Sequence, residues 1–129
     1  MEKTIEIDGK KIRFKTNGAT PLRYKAQFGK DFFKEILKLA PLEKLQGKDK
    51  KDITSEDLEA LDFEVFYNIA WIMAKTNDPT IPEPLEWLEQ FDEFPMTEIV
   101  PELQELMLAS FQTSKKKLAL QQIATQASQ

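Results

Sequence analysis

The chain contains neither cysteine nor histidine. That excludes disulfide staples, thiolate nucleophiles, imidazole bases and every zinc site built on sulfur or ring nitrogen. A chain of 129 residues without disulfides suits a reducing cytoplasm. Glycine is scarce, and Gly9, Gly18, Gly29 and Gly47 stand far from one another. Neither a phosphate-cradling loop nor a dinucleotide fingerprint can be built from that spacing. Long apolar runs are missing too. The uncharged stretch from Val65 to Ala74 is far shorter than the roughly 20 residues that span a bilayer. Met1 to Ile7 alternates charged and apolar residues, without the continuous apolar core of a signal peptide. The expectation is a chain that is neither secreted nor membrane-spanning.

What is present is enough for one core. Hydrophobic residues make up 41% of the chain, which supports a folded domain of this length. Charge is divided unevenly. Residues 1–51 carry 14 Lys/Arg against 7 Asp/Glu, whereas residues 52–112 carry 15 acids against Lys75 alone. Such halves can pair within one molecule or head to tail between copies.

Period-two alternation in Thr4 to Ile7 and Lys11 to Lys15, around Asp8-Gly9-Lys10, predicts a β-hairpin over about residues 4–15. Its apolar face holds Ile5, Ile7, Ile12 and Phe14. Thr20-Pro21 reads as a cap and first helical residue, with Gly29 as the stop. A second helix starts near Asp31, and Gln46 to Asp52 reads as a loop. Thr54-Ser55-Glu56-Asp57 opens a longer helix with hydroxyl caps followed by acids suited to its positive end. Leu58, Leu61, Val65, Ile69 and Ile72 form its core stripe, beside Phe63, Phe66, Tyr67, Ala70 and Ala74. Its C-terminal turns are apolar all round and belong at the centre of the fold. Pro84 begins a short helix and Thr97 a last one. The predicted class is mostly α, a small helical bundle with an N-terminal β-hairpin. Residues 1–113 form its single domain, and 114–129 a polar tail whose composition predicts mobility.

Carboxylates remain the one catalytic option. Glu56, Asp57, Glu59, Asp62 and Glu64 crowd one region, where a glycosidase or magnesium site would need two of them. A solvated helix face accounts for the same residues, so no enzyme and no cofactor is expected. Lys10, Lys11, Arg13, Lys15, Arg23, Lys25 and Lys30 interleave with Phe14, Tyr24 and Phe28, as in a small nucleic-acid-binding protein. The acidic half would repel phosphate, so neither nucleic acid nor membrane is expected as a partner. For protein binding the candidates are Trp87, Phe91, Phe94, Met107 and Phe111, residue types enriched in interface cores. The competing role for each is closing the core.

The order of elements, with Thr20-Pro21-Leu22-Arg23-Tyr24 and then Phe28-Gly29-Lys30-Asp31 before an apolar helix, resembles the tail assembly chaperones of long-tailed phages and prophages of Gram-positive bacteria. The likeness spans about Ile5 to Phe111. It implies a non-enzymatic role in virion morphogenesis: binding the tape measure protein, keeping it soluble, and helping tail tube protein polymerise around it. It implies self-association, residence in the host cytoplasm and absence from the mature virion. Members of the family are often made in two lengths by ribosomal frameshifting, and Lys115, Lys116 and Lys117 stand where adenine-rich codons would permit a slip. The alternative of the same origin is a tail-completion or head–tail connection protein retained in the particle.

Overall fold

A computed structural model describes residues 1–41, 45, 48–96 and 98–109, with Lys50 in its backbone alone. Strands β1 (Glu2–Ile7) and β2 (Lys10–Lys15) pair antiparallel. Asp8 at φ 53° and Gly9 at φ 75° supply the two left-handed residues that a tight hairpin turn needs. The register sets Glu2 opposite Lys15 and Glu6 opposite Lys11, so the exposed face pairs unlike charges across the strands. The other face buries Ile5, Ile7 and Phe14.

Helix α1 (Thr20–Phe28) starts one residue earlier than its sequence suggests, because Ala19 takes the cap position. The Thr20 hydroxyl instead accepts from Asn17 N at 3.0 Å and meets the Thr76 hydroxyl at 3.2 Å, both threonines being buried. Gly29, at φ 71°, ends the helix as expected, its N–H donating to Lys25 O. Helix α2 (Phe32–Leu37) follows Asp31.

The long helix expected from Thr54 is divided in two. Helix α3 (Ser55–Glu59) opens with a capping box in which Thr54 and Asp57 satisfy each other's backbone N–H groups. Helix α4 (Phe63–Asn77) restarts at Asp62, whose carboxylate accepts from Val65 N at 3.4 Å. An aspartate able to cap in mid-segment lets the chain turn between the two helices. The C-terminal turns of α4 do lie at the centre: residues 69–74 are buried in unbroken succession. The helix packs on β2, α1, α2 and the short α5 (Pro84–Leu88). A further helix α6, described over residues 98–109, buries Ile99, Val100, Leu103, Leu106 and Met107, a stripe with helical period.

The fold is therefore mostly α, a small bundle closed at one side by a two-stranded hairpin. Among the described residues no helix is long and apolar enough to cross a membrane.

The basic and acidic halves meet within one molecule. Lys3 Nζ stands 3.0 Å from a Glu105 carboxylate oxygen, and Lys10 Nζ donates to Gln90 O at 2.8 Å while lying over the Phe91 ring. Asp92 N donates to the Asp8 carboxylate at 3.0 Å, and the Gln27 amide to Glu83 at 2.7 Å. Most of these groups are exposed, so they fix how the hairpin and α1 sit more than they add stability.

Candidate partner-binding surface

Helix α3 buries none of its five residues. Leu58 is 46% exposed and Phe63, at the first position of α4, is 42% exposed, with half-buried Leu61 between them. Helical spacing alone assigns Leu58 and Leu61 to the core stripe and Phe63 to the stripe beside it. The turn at Ala60 to Asp62 takes them off both, because α3 no longer continues the axis of α4. Leu37, 57% exposed, ends α2, which packs on α4.

The corner is rimmed by acid. Glu56, Glu59, Asp62 and Glu64 are exposed, and none forms an ion pair among the described residues. Asp57 is committed elsewhere: it belongs to the capping box and pairs with Lys48 at 3.0 Å. The backbone N–H of Thr54 and then Lys48 hold its carboxyl below the usual aspartate value. Asp62 is likewise occupied as a cap. Two of the five carboxylates considered for catalysis thus have structural work, and no group of three or more potential metal ligands gathers among the described residues.

The aromatic residues proposed from sequence for partner contact lie elsewhere. Trp87, Phe91 and Met107 are buried, and half-buried Phe94 packs against the core. Trp87 meets the Phe91, Phe94 and Phe14 rings at 5.2, 5.8 and 6.5 Å, and Phe94 also meets Tyr67 at 5.7 Å. These side chains close the core between α4, α5 and the hairpin, because a domain this small must spend its largest apolar groups inside. Their type pointed to an interface; their position removes Trp87, Phe91 and Met107 from the surface. Phe111 and Lys115, Lys116 and Lys117 lie outside the described residues. The stacking platform imagined for nucleic acid is also dismantled, since Phe14 and Tyr24 are buried.

The chain matches no protein-family model, no curated protein and no solved structure.

One charged group is buried on α2. Glu35 on α2 is 1% exposed, and the Tyr24 hydroxyl donates to its Oε1 at 3.1 Å. Lys38 Nζ lies 2.8 Å from Oε2, but at an angle outside hydrogen-bond geometry, so distance alone makes it an ion pair. Lys30 stands 4.0 Å from Oε1. The arrangement ties α1 to α2 by a phenol and neutralises the buried carboxylate from the solvent side. Burial, then the Glu35 charge and the hydrogen bond to it, push the Tyr24 phenol above the ordinary tyrosine value. The close contact with Glu35 and then its charge likewise raise Lys38.

Both shifts have the same sign. A group whose folded pKa is raised stabilises the fold fully below its unfolded value, and loses that contribution as pH climbs through the folded one. Stability should therefore hold through neutral pH and fall above about pH 10. In a Tyr67→Phe background, which leaves Tyr24 as the lone tyrosine, phenolate absorbance near 295 nm is expected to rise only with loss of helical circular dichroism. A phenolate signal that precedes unfolding would show that Tyr24 is not held by Glu35.

Proposed function

We propose that this protein is a non-catalytic tail assembly chaperone of a phage or prophage, binding the tape measure protein in the host cytoplasm and keeping it soluble until tail tube protein encloses it. The reading rests on the sequence resemblance. One structural observation supports it most: the core is already filled by Trp71, Trp87 and their neighbours, yet Leu37, Leu58 and Phe63 remain at the surface of neighbouring helices. Apolar side chains grouped outside a finished core suit contact with another apolar surface. A long helical client with an apolar stripe offers one, through the insertion of successive anchors from a single helix face.

The unequal charge of the two halves also favours copies lying in series along such a client. The contacts between Lys3 and Glu105 and between Lys10 and Gln90 use part of that charge within the molecule. The acids around α3 are left over for a partner.

The test is co-expression with a candidate tape measure protein, followed by size-exclusion chromatography. Co-elution with a client that is insoluble alone is the expected result. A client that stays insoluble while this protein elutes by itself would overturn the reading. Recovery of the chain in purified particles would favour a tail-completion or head–tail connection protein instead.

A further inference from the structure

We propose that the corner formed by Leu58, Leu61 and Phe63 is a docking site for a basic amphipathic helix of the client. This rests on the chaperone reading and adds to it the place of contact and the chemistry of the bound segment.

Three observations carry it. The apolar side chains stand at the junction of α3 and α4, where α3 has no residue turned into the core. Acids adjoin them in the chain: Glu56, Glu59, Asp62 and Glu64 are exposed without an ion-pair partner among the described residues. Residues 52–112 as a whole hold 15 acids against one lysine, so no neighbouring part of this half supplies compensating charge.

An occupant must therefore bring apolar anchors and positive charge together. A helix with leucines at i, i+4 and i+7 flanked by lysine or arginine does both. Its leucines would cover Leu58 and Phe63, and its cations would sit over the rim. An acidic or neutral helix with the same stripe would leave four carboxylates crowded against it without compensation. The tape measure segment bound here should accordingly be basic.

The experiment uses the full-length protein and two synthetic helical peptides of identical leucine spacing, one with lysine and one with glutamate at the flanking positions. Binding is followed by the chemical shifts of the α3 and α4 amides and by titration at low and high salt. The lysine peptide is expected to shift residues 56–64 and to bind at least about tenfold more tightly than the glutamate peptide, an advantage that salt reduces. The double variant Leu58→Ala/Phe63→Ala is expected to lose about tenfold or more in affinity while keeping its circular dichroism. Glu59→Lys should act similarly, without removing any apolar group.

Equal binding of both peptides, or shifts centred away from residues 56–64, would overturn the proposal. Two other occupants are separated in the same experiment. If the protein self-associates and Leu58→Ala/Phe63→Ala abolishes that, the corner holds a second copy and the proposal fails. If changing Lys115, Lys116 and Lys117 to glutamate frees the corner for the lysine peptide, the chain's own tail occupies it and the proposal fails. Co-elution with the client that survives Leu58→Ala/Phe63→Ala would leave the chaperone reading standing without this site. Peptide binding at the corner without any client co-elution would separate the two in the other direction.

Discussion

Replacing Trp71 by alanine is expected to cost roughly 3–5 kcal/mol of folding stability, the range for deleting a large buried aromatic. Against a total of about 5–15 kcal/mol for a domain, that leaves little. The side chain does three things at once. Its ring stands edge-on to Phe28 with centroids 5.8 Å apart, joining α1 to α4. Its indole N–H donates to Pro82 O at 2.8 Å, holding the linker between α4 and α5. Lys75 lies over its face at 5.8 Å and donates to Ile81 O, so the linker is held from a second point. Alanine would open a cavity beside α1 and orphan the Pro82 carbonyl. Urea unfolding followed at 222 nm should show the midpoint falling by about 2 M, for a slope of about 2 kcal/mol per M. An unchanged midpoint would mean that α1 and the linker are held by other contacts.

Trp87→Ala should cost a similar amount, about 3–5 kcal/mol, but with a different local signature. Trp87 is where the hairpin meets the acidic half, through Phe14 on one side and the Phe91 and Phe94 rings on the other. Each such aromatic contact adds about 0.5–1.5 kcal/mol beyond the area it buries. Without the indole, hydrogen exchange at β1 and β2 amides should accelerate more than at the centre of α4. Hairpin protection that matches the parent would show that Lys10 and Asp8 hold it unaided. Because the chain has two tryptophans, each variant leaves the other as a single fluorescent reporter. The cost also sets a practical rule. Loss of client binding in Trp87→Ala would reflect loss of the fold, whereas Leu58 and Phe63 can be changed without disturbing the core.

The elements were readable in the sequence where local chemistry decides them. Asp8-Gly9 between alternating residues marks a hairpin, Gly29 a helix stop, and Pro84 a helix start, and the structure has all three. The apolar turns of α4 declared their own burial. What composition and period could not supply was direction in space. Leu58 shares the spacing of Val65 and Ile69, and Phe63 that of Phe66 and Ala70, and only the turn at Asp62 separates exposed from buried. The signal was present, since an aspartate inside an apolar stripe is a cap in waiting, but a continuous period concealed it. Trp87 and Phe91 failed in the opposite sense, because residue type says that a side chain is sticky without saying what it sticks to. Glu35 had no legible role: one glutamate among lysines looks solvated, and only the packing of α1 on α2 buries it.

The hairpin is made before the residues that line it. Ile5, Ile7 and Phe14 leave the ribosome without the cover that α4 and then Trp87 provide once they have been synthesised. At about 5–20 residues per second, those side chains stay uncovered for roughly 4–20 seconds of each synthesis. The two-stranded ribbon cannot hold itself together during that interval. Covering the hairpin is therefore a late event, which waits on α4 and on Trp87, far downstream of Phe14. Until then the nascent chain itself presents greasy surface to every neighbour in the cell.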